Sequence, residues 1–280
     1  MEAGGTDGVV LDLDWLLIAE LLLLGCCTGF LAGLLGIGGG MLLVPFMTML
    51  LTIQGFPADL VVKTAVATSL ATICFTSVSS VRAHQARGAV RWDIFARLAP
   101  GIVIGSMLGA QIAKALPSNA LALLFAGFVG FSATQMFLDR KPKPSRQLPA
   151  TGGMLAAGSG IGALSALVGA GGGFVSVPFM TWCNVVIHQA VGTSAALGFP
   201  IALAGTIGYI WAGWDLPQMP PGALGFLYVP ALVVVSLASV TTAPLGARTA
   251  HRMNVRQLKR AFAVLLYLLA AYMLYRGLRG

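Results

Sequence analysis

The sequence is poor in charged residues. Asp, Glu, Lys and Arg make up only 9% of its 280 positions, against about 25% in a typical soluble domain, and the mean hydropathy is +0.87. So few charges cannot cover a water-facing surface, so we expect the chain to lie in a lipid bilayer. The net charge of +8 does not indicate nucleic-acid binding, because Lys and Arg stand in short tracts between apolar runs, as in cytoplasmic loops.

Several patterns that carry chemistry are missing. No Lys or Arg precedes Lys63, so the first apolar run lacks the positive region of a cleaved signal peptide and is expected to remain as a span. The four cysteines form no CxxC pair, so neither a metal site nor a disulfide is supported. No nucleotide-binding motif appears, and no cluster of His, Cys or carboxylates in the apolar segments suits an enzyme. We therefore predict no catalytic residue, metal or cofactor.

Ten apolar segments predict an all-α polytopic membrane protein. The segments cover about 15–36, 41–53, 61–81, 94–115, 120–138, 152–169, 174–187, 190–213, 224–245 and 258–275. The stretch DRKPKPSRQLP, residues 139–149, is charged and rich in proline, which is typical of a linker. We expect a first membrane repeat over 1–139, a cytoplasmic linker over 140–150 and a second repeat over 151–280.

The two halves repeat one another in order. GIGGGMLLVPFMT (36–48) recurs as GAGGGFVSVPFMT (169–181), AVATS (65–69) recurs as AVGTS (190–194), and GAQIAKAL (109–116) resembles GARTAHRM (246–253). Such a two-fold repeat is typical of secondary transporters. Each repeat would hold about five helices, one of them short and interrupted by glycine.

The distribution of basic residues favours inverted repeats. With ten spans and a cytoplasmic loop at 82–97, 13 of the 17 Lys and Arg residues lie inside, whereas eight spans, with both short segments re-entrant, place only 10 there. The basic loop 82–97 also corresponds to the stretch 212–222 in the second half, which contains no Lys or Arg. Ten spans, inverted halves and both termini outside are therefore preferred over eight spans with parallel halves.

Consecutive glycines at the start of each short segment are candidates for binding an anion. Segment 41–53 is about 20 Å long as a helix, so its glycine end should dip into the bilayer, where irregular backbone must face protein or water. Free N–H groups and the positive helix end attract anions there. Close packing is the alternative, and we assign it to the ladders Gly25/Gly29/Gly33 and Gly101/Gly105/Gly109.

Polar side chains within the apolar segments are further candidates. The duplicated hydroxyls of Thr68, Ser69, Thr193 and Ser194 could donate to a bound oxyanion or could bond the backbone. No buried Arg or Lys is an evident counter-charge. Glu20 lies in the first segment and is a candidate proton carrier, although a place at the membrane interface would also suit it. His188 is the other candidate, because histidine is the side chain that proteins most often use as a proton switch, unless it is a loop residue without a role.

The repeated G-x-GGG-x4-P, the following A-V-x-T-S and the later G-A-x3-A resemble the TauE/SafE sulfite exporter family over nearly the whole chain. That resemblance implies transport of a small sulfur-containing anion, such as sulfite, thiosulfate or an organosulfonate, across a bacterial inner membrane. It carries a substrate-binding role to the motif positions of both repeats: Gly38, Gly39, Gly40, Thr68, Ser69, Gly171, Gly172, Gly173, Thr193 and Ser194.

Together these observations predict a secondary transporter that works by alternating access, with the bilayer and the anion as its partners and a proton as an optional one. A passive anion channel and a membrane subunit without transport activity are the alternatives. A channel would give flux that does not saturate with substrate.

Overall fold

The computed structural model describes residues 15–35, 39–138, 145–216, 219, 221–250 and 255–279. Within these ranges it contains ten helices and a two-stranded hairpin. The protein is therefore all-α in architecture, as the apolar segments predict. The hairpin is an addition that the sequence pattern does not indicate.

The first half of the chain forms five helices. They are α1 (Trp15–Leu35), α2 (Gly40–Ile53), α3 (Ala58–Gln85), α4 (Trp92–Ala115) and α5 (Ser118–Leu138). Prolines stand directly before α3 and α5, where the missing N–H of proline costs no helical hydrogen bond. Each predicted apolar segment of this half therefore corresponds to one helix.

The second half repeats this order of one short and four longer helices. They are α6 (Thr151–Val168), α7 (Gly173–Trp182), α8 (Ile187–Ala212), α9 (Val229–Ala250) and α10 (Val255–Arg279). The antiparallel strands β1 (Ala223–Leu224) and β2 (Leu227–Tyr228) lie between α8 and α9. Part of the predicted segment 224–245 is therefore a hairpin, and its helix begins only at Val229.

The two short helices are too short to cross a membrane on their own. With 14 and 10 residues, α2 and α7 span about 21 Å and about 15 Å, against a hydrocarbon core of about 30 Å. The prediction for 41–53 is confirmed, but that for 174–187 is wrong at its end. There α7 stops at Trp182 because Asn184 turns left-handed (φ 62°) and the Val185 N–H donates back to the Met180 carbonyl.

Seven helices of the described chain are long and apolar enough to cross a membrane, namely α3, α4, α5, α6, α8, α9 and α10. Their outer surfaces are apolar. On α4, for example, Ile104, Leu108 and Ile112 are each about half exposed, which in water would form an unfavourable patch. Because lipid solvates such side chains, the surface suits a protein embedded in a bilayer.

The closest helix pairs join the two halves of the chain. Helix α1 packs along α9, and α4 packs along α6. On α4, a Cβ at Gly105 would overlap the Ser159 carbonyl, and one at Gly109 would lie 2.7 Å from the Ala163 carbonyl oxygen. Gly25 and Gly29 similarly face α9 at Val235 and Ser239. Both pairs run parallel, and these glycines serve close packing, as the ladders predict.

Helices that correspond in the two repeats pack antiparallel. Along α3 and α8, Leu70 lies 2.9 Å from a Cβ built on Gly205, while Ser77 lies near Gly198. Along α5 and α10, the Tyr267 hydroxyl bonds Thr134 at 2.8 Å, and Gly277 packs on Leu123. In both pairs one residue number rises as the other falls, so α3 opposes α8 and α5 opposes α10.

Candidate functional site

The two glycine motifs lie against each other in the interior. A Cβ on Gly40, the first residue of α2, would overlap the carbonyl oxygen of Gly169, which ends α6. The Ser69 hydroxyl of α3 joins both motifs, because it lies 2.9 Å from the Gly169 carbonyl oxygen and 3.4 Å from that of Gly40. Gly38 lies outside the described residues. The motifs therefore meet at one place, although they belong to different halves of the chain.

Packing and backbone conformation explain part of this glycine pattern. Gly169 and Gly172 have positive φ values of 69° and 76°, which side-chain-bearing residues rarely adopt. A Cβ on Gly172 would also overlap the δ-methyl group of Ile201. Gly171 has more room, since the nearest atom to its Cβ position is 3.5 Å away on Ile73. Any ligand role of these glycines therefore rests on their backbone N–H groups.

Free N–H groups are present at the start of α7. The N–H groups of residues 171–174, Gly173 included, donate to no described residue, whereas Val175 and Ser176 both donate to the Gly172 carbonyl. At the start of α2, Leu42 and Leu43 donate to Gly39, and the N–H groups of the two residues before them have no partner in the described chain. Both short helices thus present unpaired donors at their positive ends.

A cleft opens beside the start of α2. It has about 10 Å³ of room for the centres of water-sized molecules, roughly enough for one water. The looser opening around it measures about 210 Å³ and is partly continuous with the surroundings. Its walls come from four helices, α1, α2, α3 and α9, and are rich in hydroxyl groups. The lining residues are Thr28, Gly39, Gly40, Leu43, Ser69, Thr72, Ile73, Thr76 and Ser239.

One cleft hydroxyl has no partner. Ser239 is only 3% exposed, and its hydroxyl group makes no hydrogen bond within the described chain. Thr28 and Thr72 instead donate to carbonyls one turn back in their own helices, at 2.7 and 2.9 Å, as hydroxyls in apolar helices commonly do. A buried polar group without a partner is unfavourable, so a ligand or water in the cleft would satisfy Ser239. Sequence analysis missed this residue because α9 follows α3 by more than a hundred positions.

The three predicted hydroxyl residues besides Ser69 also form hydrogen bonds within the protein. Thr68 accepts the Tyr228 N–H at 3.3 Å, and Thr193 accepts the Arg91 N–H at 2.9 Å. Each threonine thus holds the residue that directly precedes a long helix of the other half. Tyr228 precedes α9, and Arg91 precedes α4. Ser194 bonds Ser176 at 2.7 Å. Burial raises the pKa of the Tyr228 phenol above its ordinary value, so that ring remains neutral.

None of the described residues that line the cleft carries a charge. Lys63 is buried, with 8% exposure, which the sequence pattern did not indicate. Its ammonium donates to the Lys114 carbonyl at 3.0 Å and lies 5.8 Å from the Phe226 ring centre. Because Lys63 precedes Ser69 by six residues, about 9 Å along the helix, it neutralises the end of α4 rather than a charge in the cleft.

The two candidate proton carriers occupy different surroundings. Glu20 is partly buried in α1 and accepts a hydrogen bond from the Gln54 side chain at 3.3 Å. Gln54 ends α2, the helix whose other end forms the cleft. His188 is exposed at the second position of α8. Among the described residues, no group of three or more His, Cys, Asp or Glu side chains could hold a metal.

Comparison with known proteins identifies relatives along nearly the whole chain. The model of the sulfite exporter TauE/SafE family matches residues 21–273. A probable membrane transporter protein of Haemophilus influenzae is 36% identical over 258 residues, covering 90% of this chain and 96% of that protein. The probable membrane transporter protein YdhB of Bacillus subtilis is 30% identical over 206 residues, covering 71% and 80%. No solved structure matches the chain.

These relatives and the seven long apolar helices agree. The protein is a multi-pass membrane transporter, and a bacterial inner membrane fits its relatives. The family match includes both glycine motifs and every residue that lines the cleft. The resemblance seen in the sequence is confirmed: the chain belongs to the TauE/SafE family of sulfite exporters.

Proposed function

We propose that the protein moves a small sulfur-containing anion, such as sulfite, thiosulfate or an organosulfonate, across the inner membrane by alternating access. The observation that carries this proposal is the cleft at the start of α2. There, unpaired helix N–H groups and an unpartnered hydroxyl converge among membrane helices. Helix N-termini favour negative charge, and membership of a sulfite exporter family supplies the class of anion.

The proposal includes two inverted repeats, 1–139 and 151–280, joined by a cytoplasmic linker. Antiparallel packing of α3 with α8 and of α5 with α10 supports inversion, because corresponding helices of parallel repeats would run in the same direction. The basic tracts support it as well, since their position within the repeat changes from one half to the other.

In this mechanism, recognition depends on backbone and hydroxyl donors. The N–H groups at the start of α2, which follows the motif Gly38–Gly40, would face the cleft, and Gly171–Gly173 would bound the place where the two motifs meet beside Ser69. Thr68, Thr193 and Ser194 would contribute by fixing the surrounding helices. The anion crosses without covalent change, so no catalytic residue is required.

The moving bodies are expected to contain helices of both repeats. Gly-mediated contact joins α1 to α9 and α4 to α6, and such close packing resists separation. Rocking would therefore displace mixed groups of helices about the cleft rather than one repeat against the other. An inside-negative potential favours anion exit by about 2.3 kcal/mol per charge per 100 mV, so export can proceed without a coupled ion.

If export is coupled to a proton, the candidate carriers are Glu20 and His188, and the contacts of Glu20 favour it over His188. Glu20 bonds the end of α2, so its protonation can alter the helix that frames the cleft. His188, which is exposed on α8, has no such connection in the described chain.

Flux in proteoliposomes tests the function. We would reconstitute the full chain and compare sulfite, thiosulfate, a small sulfonate and chloride, with empty liposomes as background. We expect saturable flux of at least one sulfur anion and little flux of chloride. Flux that rises linearly with concentration would indicate a channel instead, and no flux from folded protein would favour the subunit without transport activity.

A matched pair of variants tests whether flux depends on the glycine motifs. Gly40→Val puts a side chain where the Gly169 carbonyl lies, so it should force the motifs apart and abolish flux. Gly127→Val makes the same change where a Cβ meets nothing within 4 Å, so flux should persist. Equal flux in both variants would remove the motifs from the transport path.

A further inference from the structure

The two repeats place different side chains around corresponding glycines. Gly39 and Gly172 are equivalent in the repeated glycine motif, and extending that alignment without a gap pairs Thr28 with Ile161. Thr76 and Ile201 are equivalent in the alignment of AVATS with AVGTS, which relates α3 to α8. Thus two threonines of the first repeat correspond to two isoleucines of the second.

Packing supports this correspondence. Ile201 and Ile161 both lie beside Gly172, with the Ile161 γ-methyl 3.7 Å from the Cβ position of that glycine. Thr28 and Thr76 line the same cleft as Gly39. Equivalent positions therefore come together in each repeat, but their side chains differ, and so does the glycine backbone, with φ of −66° at Gly39 and 76° at Gly172.

The wall from the fourth helix of each repeat differs in the same way. Ser239 of α9 corresponds to Ile102 of α4 when GAQIAKAL is aligned with GARTAHRM. Gly29 packs against Ser239, and its equivalent Gly162 packs against Ile102, so the structure aligns the two positions independently. Ile102 is fully buried. The cleft hydroxyl without a partner thus has an apolar counterpart.

These differences affect an anion strongly. The three polar residues of the cleft, Thr28 and Thr76 from the first repeat and Ser239 from the second, can donate hydrogen bonds or hold water, whereas their three counterparts are isoleucines, which cannot. The second place does keep one hydroxyl without a partner in the described chain, that of Ser165, 3.2 Å from the Cβ position of Gly172. With fewer hydroxyl donors around it, a charged group is less favourable there than in the cleft. At the second place, moreover, Ile201 already fills the space beside Gly172.

We propose that the protein binds one anion at a time, in the cleft beside the start of α2. Ile161 and Ile201 close the equivalent place beside Gly172, at the start of α7. The donors are the N–H groups at the start of α2 and the hydroxyls of Ser239, Thr28 and Thr76. The threonine hydroxyls turn from their own helix carbonyls to the ligand. This inference rests on the proposed function and names the site where that function takes place.

Two serines on α9 provide the first test. Ser239→Ala removes the free cleft hydroxyl, while Ser236→Ala removes another buried hydroxyl without a partner, one turn away and outside the cleft. Hydrogen bonds to charged groups are strong, so KM for sulfite should rise about tenfold in Ser239→Ala. It should stay at the wild-type value in Ser236→Ala. Equal KM in all three proteins would overturn the inference.

Exchange between the repeats provides the second test. Thr76→Val keeps the side-chain shape but removes a cleft donor, and it should raise KM for sulfite several-fold. Ile201→Thr introduces a hydroxyl at the second place and should leave KM unchanged, because no anion binds there. A change in KM with Ile201→Thr but none with Thr76→Val would assign the site to the second repeat instead.

Sulfite binding measured without flux separates this inference from the proposed function. A bound ligand raises the unfolding temperature, so sodium sulfite should stabilise the detergent-solubilised wild-type protein and Ser236→Ala more than Ser239→Ala. Such stabilisation in a protein that gives no flux would leave the site standing and overturn transport. Sulfite flux together with equal stabilisation of all three proteins would support transport and overturn the proposed site.

Discussion

Hydroxyl side chains fill three kinds of position in this protein. Some donate to their own helix, as Thr72 does. Others hold backbone of another element, as Ser69 holds Gly169. Ser239 lies buried at the cleft without a partner in the described chain. Only the third kind gains a hydrogen bond when a ligand arrives, so the unpartnered hydroxyl is the most informative of the polar residues in the spans.

Glu20 supports a prediction at the same scale. If its carboxylate carries a coupled proton, Glu20→Gln should flatten the dependence of flux on pH, because an amide keeps the bond to Gln54 but binds no proton. His188→Gln should leave the dependence as it is. Sulfite flux at several pH values measures both effects, and an unchanged profile in Glu20→Gln would exclude this residue as the carrier.

At the scale of helices, glycine has opposite effects in different places. Gly105 lies where a Cβ would overlap the Ser159 carbonyl, whereas a Cβ on Gly127 in α5 meets nothing within 4 Å. Glycine lowers helix stability by roughly 1 kcal/mol relative to alanine. Close packing of α4 on α6 explains why glycine is kept at Gly105, but no such contact explains it at Gly127.

The two positions give a paired prediction. Gly105→Ala should lower the free energy of unfolding by about 1–3 kcal/mol, because α4 and α6 must move apart. Gly127→Ala should raise it by about 0.5–1 kcal/mol. Thermal unfolding of the purified proteins in detergent measures the difference. Equal unfolding temperatures of the two variants would show that α4 and α6 accommodate the added methyl group without loss of stability.

At the scale of the whole molecule, much of the architecture could be predicted from sequence. Apolar runs, interrupted mostly by glycine, proline or charged residues, predicted the helices of the described chain. The spacing of Gly25 and Gly29 predicted a packing face that the structure confirms. The end of α7 was missed because apolar residues continue beyond Trp182, while the left-handed turn at Asn184 stops the helix.

The candidate site was only partly predictable. Repeated motifs located its glycines and Ser69, but Thr28 and Ser239 stand outside those motifs and reach the cleft only through helix packing. The contrast between Thr76 and Ile201 is visible in the aligned repeats, yet its meaning depends on Ile201 lying against Gly172. Contacts between distant helices, and not residue types, decide this part of the site.

The proposed inverted arrangement predicts where the C-terminus and the linker lie. With ten spans, a tag on the C-terminus should be reached from outside intact cells, while a tag inserted at 140–150 should be reached only after the membrane is opened. Protease or antibody access to the two tags measures this. A C-terminal tag protected in intact cells would contradict the inverted topology.

The parallel contact of α1 with α9 has a consequence for biosynthesis. Roughly 190 residues separate the end of α1 from the start of α9. At about 5–20 residues per second, the ribosome needs about 10–40 s to make that stretch. The glycine face of α1 must therefore wait in the membrane, covered by lipid or by a chaperone, until nearly the whole protein has been translated.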